Sequence, residues 1–160
     1  MAGPFGLPKT TPRTILLNGK EFATMKELIA GGAITPGHLV QISSAGKWVV
    51  HNTAKGRALK AFADAYTLTG KDIDTAYANN DWALAWIVKP GSEVNALVAA
   101  GAAAIAVGDQ LESAGDGTLR KLTADNTTGP VFGGYPIAIA LAAVDNSGGG
   151  SAVRLQVMVM

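Results

Sequence analysis

The 160-residue chain has no cysteine, and charged residues make up only 16% of it, against about 25% in an average globular protein. Without cysteine there is no disulfide framework, no thiol nucleophile and no cysteine-based zinc or iron–sulfur site. The 13 Lys and Arg nearly balance the 12 Asp and Glu, for a formal charge of +1. That balance lacks the basic excess of a nucleic-acid binder, so no nucleic acid is expected as partner. Long hydrophobic runs are missing too. The longest apolar stretch, Ala96 to Val107, is rich in Ala and Gly and falls short of the roughly 18–20 residues that span a bilayer, so no membrane is expected either. The opening MAGPFGLPKTTPR holds three prolines and no apolar core, unlike a secretory signal. The chain therefore reads as soluble and made in a reducing compartment.

What remains is plentiful small and apolar material. Hydrophobic residues make up 48% of the chain, and 28 Ala with 20 Gly fill 30% of it. Disorder is disfavoured by that content, and the length suits one domain with a real core.

Residues 1–13 read as an extended arm. Pro4, Pro8 and Pro12 hold the chain out of helical conformation, and Phe5 and Leu7 supply two apolar anchors. The arm and a domain over 14–160 form the expected organisation. Thr14 to Asn18 ends in Asn18-Gly19, a short-range hairpin signal. Thr24 with Glu27 resembles a capping box, which predicts one short helix over Met25 to Ala30, stopped by Gly31-Gly32. His38 to Ser43 and Lys47 to His51 predict a hairpin around Ala45-Gly46. Thr53 to Tyr66 fits helical spacing or a strand such as Arg57 to Ala63, and Lys71 to Asp81 reads as a polar loop.

Asp81 to Lys89 is a strand with Trp82, Leu84, Trp86 and Val88 on one face and Ala83, Ala85 and Ile87 on the other. With both faces apolar, it is central or at an interface. Strands are also expected at Ser92 to Val98, Ile105 to Leu111, Thr118 to Leu122, Pro136 to Val144 and Ala152 to Met160. Many short strands between Gly-rich turns, without a βαβ rhythm, predict a mainly β fold, a barrel or sandwich. One internal echo stands out. Ala33-Ile34-Thr-Pro-Gly37-His38-Leu-Val40 and Ala104-Ile105-Ala-Val-Gly108-Asp109-Gln-Leu111 share a form at an offset of 71, suggesting two pseudo-symmetric hairpins entered through a glycine turn.

Chemistry is sparse. His38 and His51 fall at strand ends where the hairpin brings them together, but no third ligand joins them, so they read as solvated and no metal is expected. Asp72 and Asp74 lack the frame of a calcium loop. Glu112 and Asp116, or Asp125 and Asp145, form no motif. No G-x-S-x-G and no phosphate loop occurs, so neither a catalytic residue nor a cofactor is expected. Trp82 and Trp86 share a face, and core or subunit-interface packing accounts for them better than stacking on sugars or bases.

The order of signals carries one further reading. Ile34-Thr-Pro-Gly37-His-Leu-Val, the run from Val94 through Gly101-Ala-Ala-Ala-Ile105-Ala-Val-Gly108-Asp109-Gln-Leu-Glu112, Gly115-Asp-Gly-Thr-Leu119 and Tyr135-Pro-Ile-Ala-Ile-Ala-Leu-Ala-Ala-Val144 together resemble the head decoration, or capsid cement, proteins of tailed bacteriophages, over roughly residues 31–160. The resemblance implies a small β-barrel or β-tulip-like domain with one short helix and an extended arm. It also implies a non-enzymatic homotrimer, made in the host cytoplasm, that sits on the outer surface of the expanded capsid and bridges major capsid protein subunits. Phe5, Leu7, Pro8, Pro12, Trp82 and Trp86 are the contact candidates. A carbohydrate-binding or adhesin module of a virion is the alternative, supported by the Trp pair.

Overall fold

The computed structural model describes residues 14–125 and 131–160. Its strands are β1 (Leu16–Asn18), β2 (Thr24–Ile29), β3 (Val40–Ile42), β4 (Trp48–Val50), β5 (Ala61–Asp64), β6 (Trp82–Ile87), β7 (Glu93–Val98), β8 (Gln110–Ser113), β9 (Leu119–Lys121), β10 (Ala124–Asp125), β11 (Val131–Phe132), β12 (Ala138–Ala140) and β13 (Val153–Val159). The chain is mainly β, as expected, and the described helical turns are two 3-10 segments, Lys20–Phe22 and Thr67–Thr69.

The strands after β6 close a barrel. β7 pairs with β13, β13 with β12, β12 with β8 and β8 with β9, and β9 returns to β7 through a parallel bridge at Val98 and Leu119, giving a closed ring of five. The earlier strands repeat that circuit. β2 pairs with β6 and β6 with β5, β5 reaches β3 at the Leu39–Phe62 bridge, β3 pairs with β4, and β4 returns to β2 through a parallel bridge at Trp48 and Ala30.

The correspondence holds residue by residue. Val40↔Val50 and Ile42↔Trp48 in the first hairpin become Leu111↔Lys121 and Ser113↔Leu119 in the second, each number raised by 71. Met25↔Trp86 corresponds to Glu93↔Met158, and Ala63↔Ala85 to Ala140↔Val157. The echo seen in the sequence is the turn that opens each hairpin. His38 N–H donates to Thr35 O and Asp109 N–H to Ala106 O. In return Thr35 N–H donates to His38 Nδ1 and Ala106 N–H to Asp109 Oδ2. Gly37 and Gly108 hold φ of 96° and 88°, which a side chain would disfavour.

Each ring has its own core, filled differently. The first surrounds Trp48 and Tyr77 with Ala30, Ala61, Ala63, Ala83 and Ala85. In the second, Leu119 stands at the Trp48 position against Leu155 and Val157, which replace Ala83 and Ala85. One large indole needs small neighbours for close packing, and this accounts for part of the alanine content. The cluster of the second ring also takes in Phe62, Trp86 and Val88 from the outside of the first, with Ile15 and Leu16.

Two local expectations fail. The Met25–Ala30 helix is strand β2, because pairing along all of β6 satisfies its backbone and outweighs a local capping signature. Asn18-Gly19 does not join a hairpin. Gly19, at φ 87°, leads into a 3-10 turn, and β1 pairs with the distant β7. The open choice at Thr53 to Tyr66 resolves as strand β5, and Lys71 to Asp81 forms no strand, carrying only the Tyr77 bridge to Ile34.

Candidate interaction surface

The described polar groups singled out for chemistry are largely committed to the fold. His51 is 2% exposed, not solvated. Its Nε2 lies 3.0 Å from the Arg57 carbonyl and must donate there, so Nδ1 accepts from the Ser113 hydroxyl at 2.7 Å. Ser113 is fully buried, so this hydroxyl meets no substrate. His38 is half-buried, and burial lowers its pKa, with Asp116 opposing and Arg154 reinforcing the shift. Gly117 links the two histidines, donating its N–H to the His51 carbonyl and lying against the His38 ring, while both nitrogens of the His51 ring are engaged elsewhere. Among the described residues no group of three metal-ligating side chains forms.

Three of the candidate carboxylates cap their own turns. Asp72 accepts from Asp74 N and Thr75 Oγ1, Asp116 from Thr118 and Asp145 from Ser147. These bonds hold the carboxyls of Asp116 and Asp145 below the usual range, although burial works against the shift at Asp116. Glu112 is different. It is fully buried, takes Arg120 Nε at 2.9 Å on Oε1, and its Oε2 has no hydrogen-bond partner among the described residues. The side chain of Asp125 and the arm candidates Phe5, Leu7, Pro8 and Pro12 lie outside what the structure describes.

The apolar groups give a surface instead. The face of β6 opposite Ala83 and Ala85 runs from Trp86, 9% exposed, through half-buried Leu84 to Trp82, 57% exposed. Trp86 is anchored: its indole donates to Asp64 Oδ2 at 2.6 Å, and Lys20 Nζ lies 5.7 Å above the ring. Trp82 is paired with Ile29 across β2 and has no such tether among the described residues. On the same face, toward Leu84 and Trp86, lie Met25, 56% exposed and opposite Trp86, and Leu68, 88% exposed. With Glu27, Ala65, Tyr66, Thr67 and Leu84 these last two line a groove of about 480 Å³. Glu27 hydrogen-bonds the Tyr66 phenol and raises its pKa, leaving one acidic group on an otherwise apolar face. The tryptophan face was legible from alternation along β6. Met25 and Leu68 were missed, because one sits on a strand read as helix and the other in a 3-10 turn.

Among the described residues the surface is bounded by an open sheet edge. β2 is the outer strand of β2–β6–β5. Ala30 N–H donates to Asp81 O across β6, so even-numbered residues of β2 face β6 and Met25 and Glu27 turn their backbone groups outward. β4 covers this edge only at its end, where Gly31 N–H meets Trp48 O.

Fold and surface together define a mainly β protein built on a closed five-stranded barrel, with an apolar face and free edge on its first ring. No helix among the described residues is long and apolar enough to cross a membrane. No family model and no curated protein matches the sequence. Among solved structures, the N base of the head fiber gp8.5 of bacteriophage phi29 is similar in fold, with a TM-score of 0.55 at 11% identity, covering 87% of this chain and 95% of that one.

Proposed function

We propose that the chain is a structural protein of a bacteriophage head, a decoration or cement protein that binds the outer surface of the expanded capsid and bridges major capsid protein subunits as a homotrimer. The observation that carries this reading is the likeness in fold, across nearly the whole of both chains, to the base of a phage head fiber. The sequence resemblance to capsid cement proteins points the same way. The exposed Met25, Leu68 and Trp82 give the protein an apolar surface of the sort that contacts between subunits cover.

Cementing works by multivalent burial. About 400 Å² of apolar contact per copy yields roughly 10 kcal/mol gross at ~25 cal/mol/Å². Ordering about 12 arm residues at ~1–2 kcal/mol each offsets that gain, so repetition around a trimer supplies the avidity. The test is co-sedimentation with expanded and immature capsids. The full chain should pellet with expanded capsids and stabilise them, and deletion of residues 1–13 or Trp82→Ser should weaken retention. Equal retention of all three, or none for the full chain, overturns the proposal. The exposed Trp82 also favours a second reading, a glycan-binding module, which predicts a glycan-array signal lost on Trp82→Ser.

A further inference from the structure

The two rings differ in one respect that the repeat makes visible. In the second ring an extra strand fills the edge of β7: β1 lies antiparallel along it, with Leu16 opposite Val94, Asn18 opposite Glu93 and Asn95 N–H donating to Ile15 O at 2.8 Å. The positions in the first ring that correspond to Glu93 and Asn95 are Met25 and Glu27. These are the outward-facing residues of β2, and among the described residues no strand pairs there.

The segment before β1 has the pattern of a strand that can fill such an edge. Along an extended chain, alternate residues turn their N–H groups to opposite edges and their side chains to opposite faces. Pro4, Pro8 and Pro12 are all even-numbered, so the missing donors fall on one edge. The odd residues, Phe5 and Leu7 among them, keep a continuous row of N–H groups on the other. Such a segment can pair on one side only, as an outermost strand does. Directly opposed residues of an antiparallel pair share a face. When the odd residues of the arm meet Met25 and Glu27, Phe5 and Leu7 therefore fall on the Trp82 side, over the groove lined by Met25, Leu68 and Leu84. Both anchors are used when Leu7 stands opposite Met25 and Phe5 opposite Glu27.

We infer that the arm, residues 1–13 of one copy, adds as an antiparallel strand to the free edge of β2 in a second copy, setting Phe5 and Leu7 into the apolar groove. The second copy is favoured over the same chain by where the arm begins. Ile15 lies beside Asn95 on β7, and that edge of β7 meets the first ring at Gly37, which binds Leu97 N–H on one side and Ala63 O of β5 on the other. β5 is at the far side of the sheet from β2. An arm returning to its own β2 would spend residues 8–13 crossing β5 and β6, whereas an arm from a neighbour has no such crossing.

The inference concerns contacts between copies, and its assays contain no capsid, so it stands or falls apart from the capsid reading. Opposed Cα atoms in such a hydrogen-bonded pair are about 5.5 Å apart, within the range that a disulfide bridges, and the chain has no cysteine of its own. On oxidation, the full chain carrying Leu7→Cys and Met25→Cys should give multimers on a non-reducing gel. Leu7→Cys with Lys26→Cys, whose side chain leaves the other face, should not. Light scattering should find the wild type as an oligomer, with Phe5→Ser/Leu7→Ser raising its dissociation constant about a hundredfold at unchanged circular dichroism. A faster-running cross-linked monomer means the arm binds its own chain and overturns the inference. So does the absence of a cross-link, equal linking of the Lys26 control, or a wild type that is monomeric.

Discussion

Breaking the buried ion pair from its exposed end tests the structure most sharply. Glu112 is fully buried and Arg120 is 36% exposed, with Nε 2.9 Å from Oε1. Arg120→Val leaves the fully buried carboxylate in place without its guanidinium partner. Removing one member of a buried pair costs about 3–5 kcal/mol. Since the guanidinium is partly solvated, the lower end, about 3 kcal/mol, applies. For a chain of this length that lowers Tm by roughly 6–12 °C. Glu112→Gln/Arg120→Val removes both charges and installs the pairing of the corresponding hairpin, Gln41 opposite Val49. This double variant should recover at least about 1 kcal/mol of the loss, because a neutral amide needs partners but no counter-ion. Urea unfolding followed by tryptophan fluorescence, with thermal circular dichroism, gives the three free energies for the cycle. A cost below about 1 kcal/mol for Arg120→Val, or a double variant as unstable as the single, would show that the carboxylate is solvated and refute the reasoning.

Three further outcomes are expected. Burial holds the His38 pKa below 6.5, so the unfolded chain takes up its proton first as pH falls. The stability His38 contributes is therefore complete above pH 6.5 and declines below it until the folded-state pKa is reached; His38→Asn, which keeps an acceptor for Thr35 N–H, should flatten that slope in urea titrations from pH 7.5 to 5. Gly37→Ala would place a Cβ 3.1 Å from Asn95 O and 3.2 Å from Leu97 Cγ at φ 96° and should cost about 2–3 kcal/mol. Gly46→Ala, at φ 72° in open space, should cost only about 1 kcal/mol, and equal values in urea melts would contradict the account. Trp82→Ser should change unfolding stability by no more than about 0.5 kcal/mol yet reduce binding of a hydrophobic dye; a large loss of stability would mean that Trp82 is packed.

Much of the barrel could be read directly from the chain. The alternation of Val153, Leu155 and Val157 survives because that face of β13 is buried, whereas β6 stood out because both of its faces are apolar, Ala83 and Ala85 buried and Trp82 exposed. The echo at an offset of 71 marked two hairpins whose registers differ by that number, but the rest of the repeat kept few identities, such as Ala63 and Ala140, at offsets other than 71. Ala83 and Leu155 hold the same position in their rings and differ by a whole side chain, since each answers the size of its own neighbour, Trp48 or Leu119. β2 escaped for a different reason. Its first four residues are all exposed, so burial imposes no alternation, and a cap-like Thr24–Glu27 spacing was the only local signal. For the surface, Trp82 could be found from the strand pattern, whereas Leu68 depends on a 3-10 turn folding back over the sheet.

The unlike filling of the two rings also bears on how the chain reaches its structure. Tandem copies of one topology invite mistakes during folding, because a strand of one unit can insert into the circuit of the other, or into that of another chain. Here β4 carried into the second circuit would press the Trp48 indole against Leu155 and Val157, and β9 carried into the first would leave Leu119 facing Ala83 and Ala85 across a void. Overpacking and cavities each cost about 1–3 kcal/mol or more. The mismatch in bulk thus acts as a sorting rule, steering each hairpin home with no difference in backbone plan.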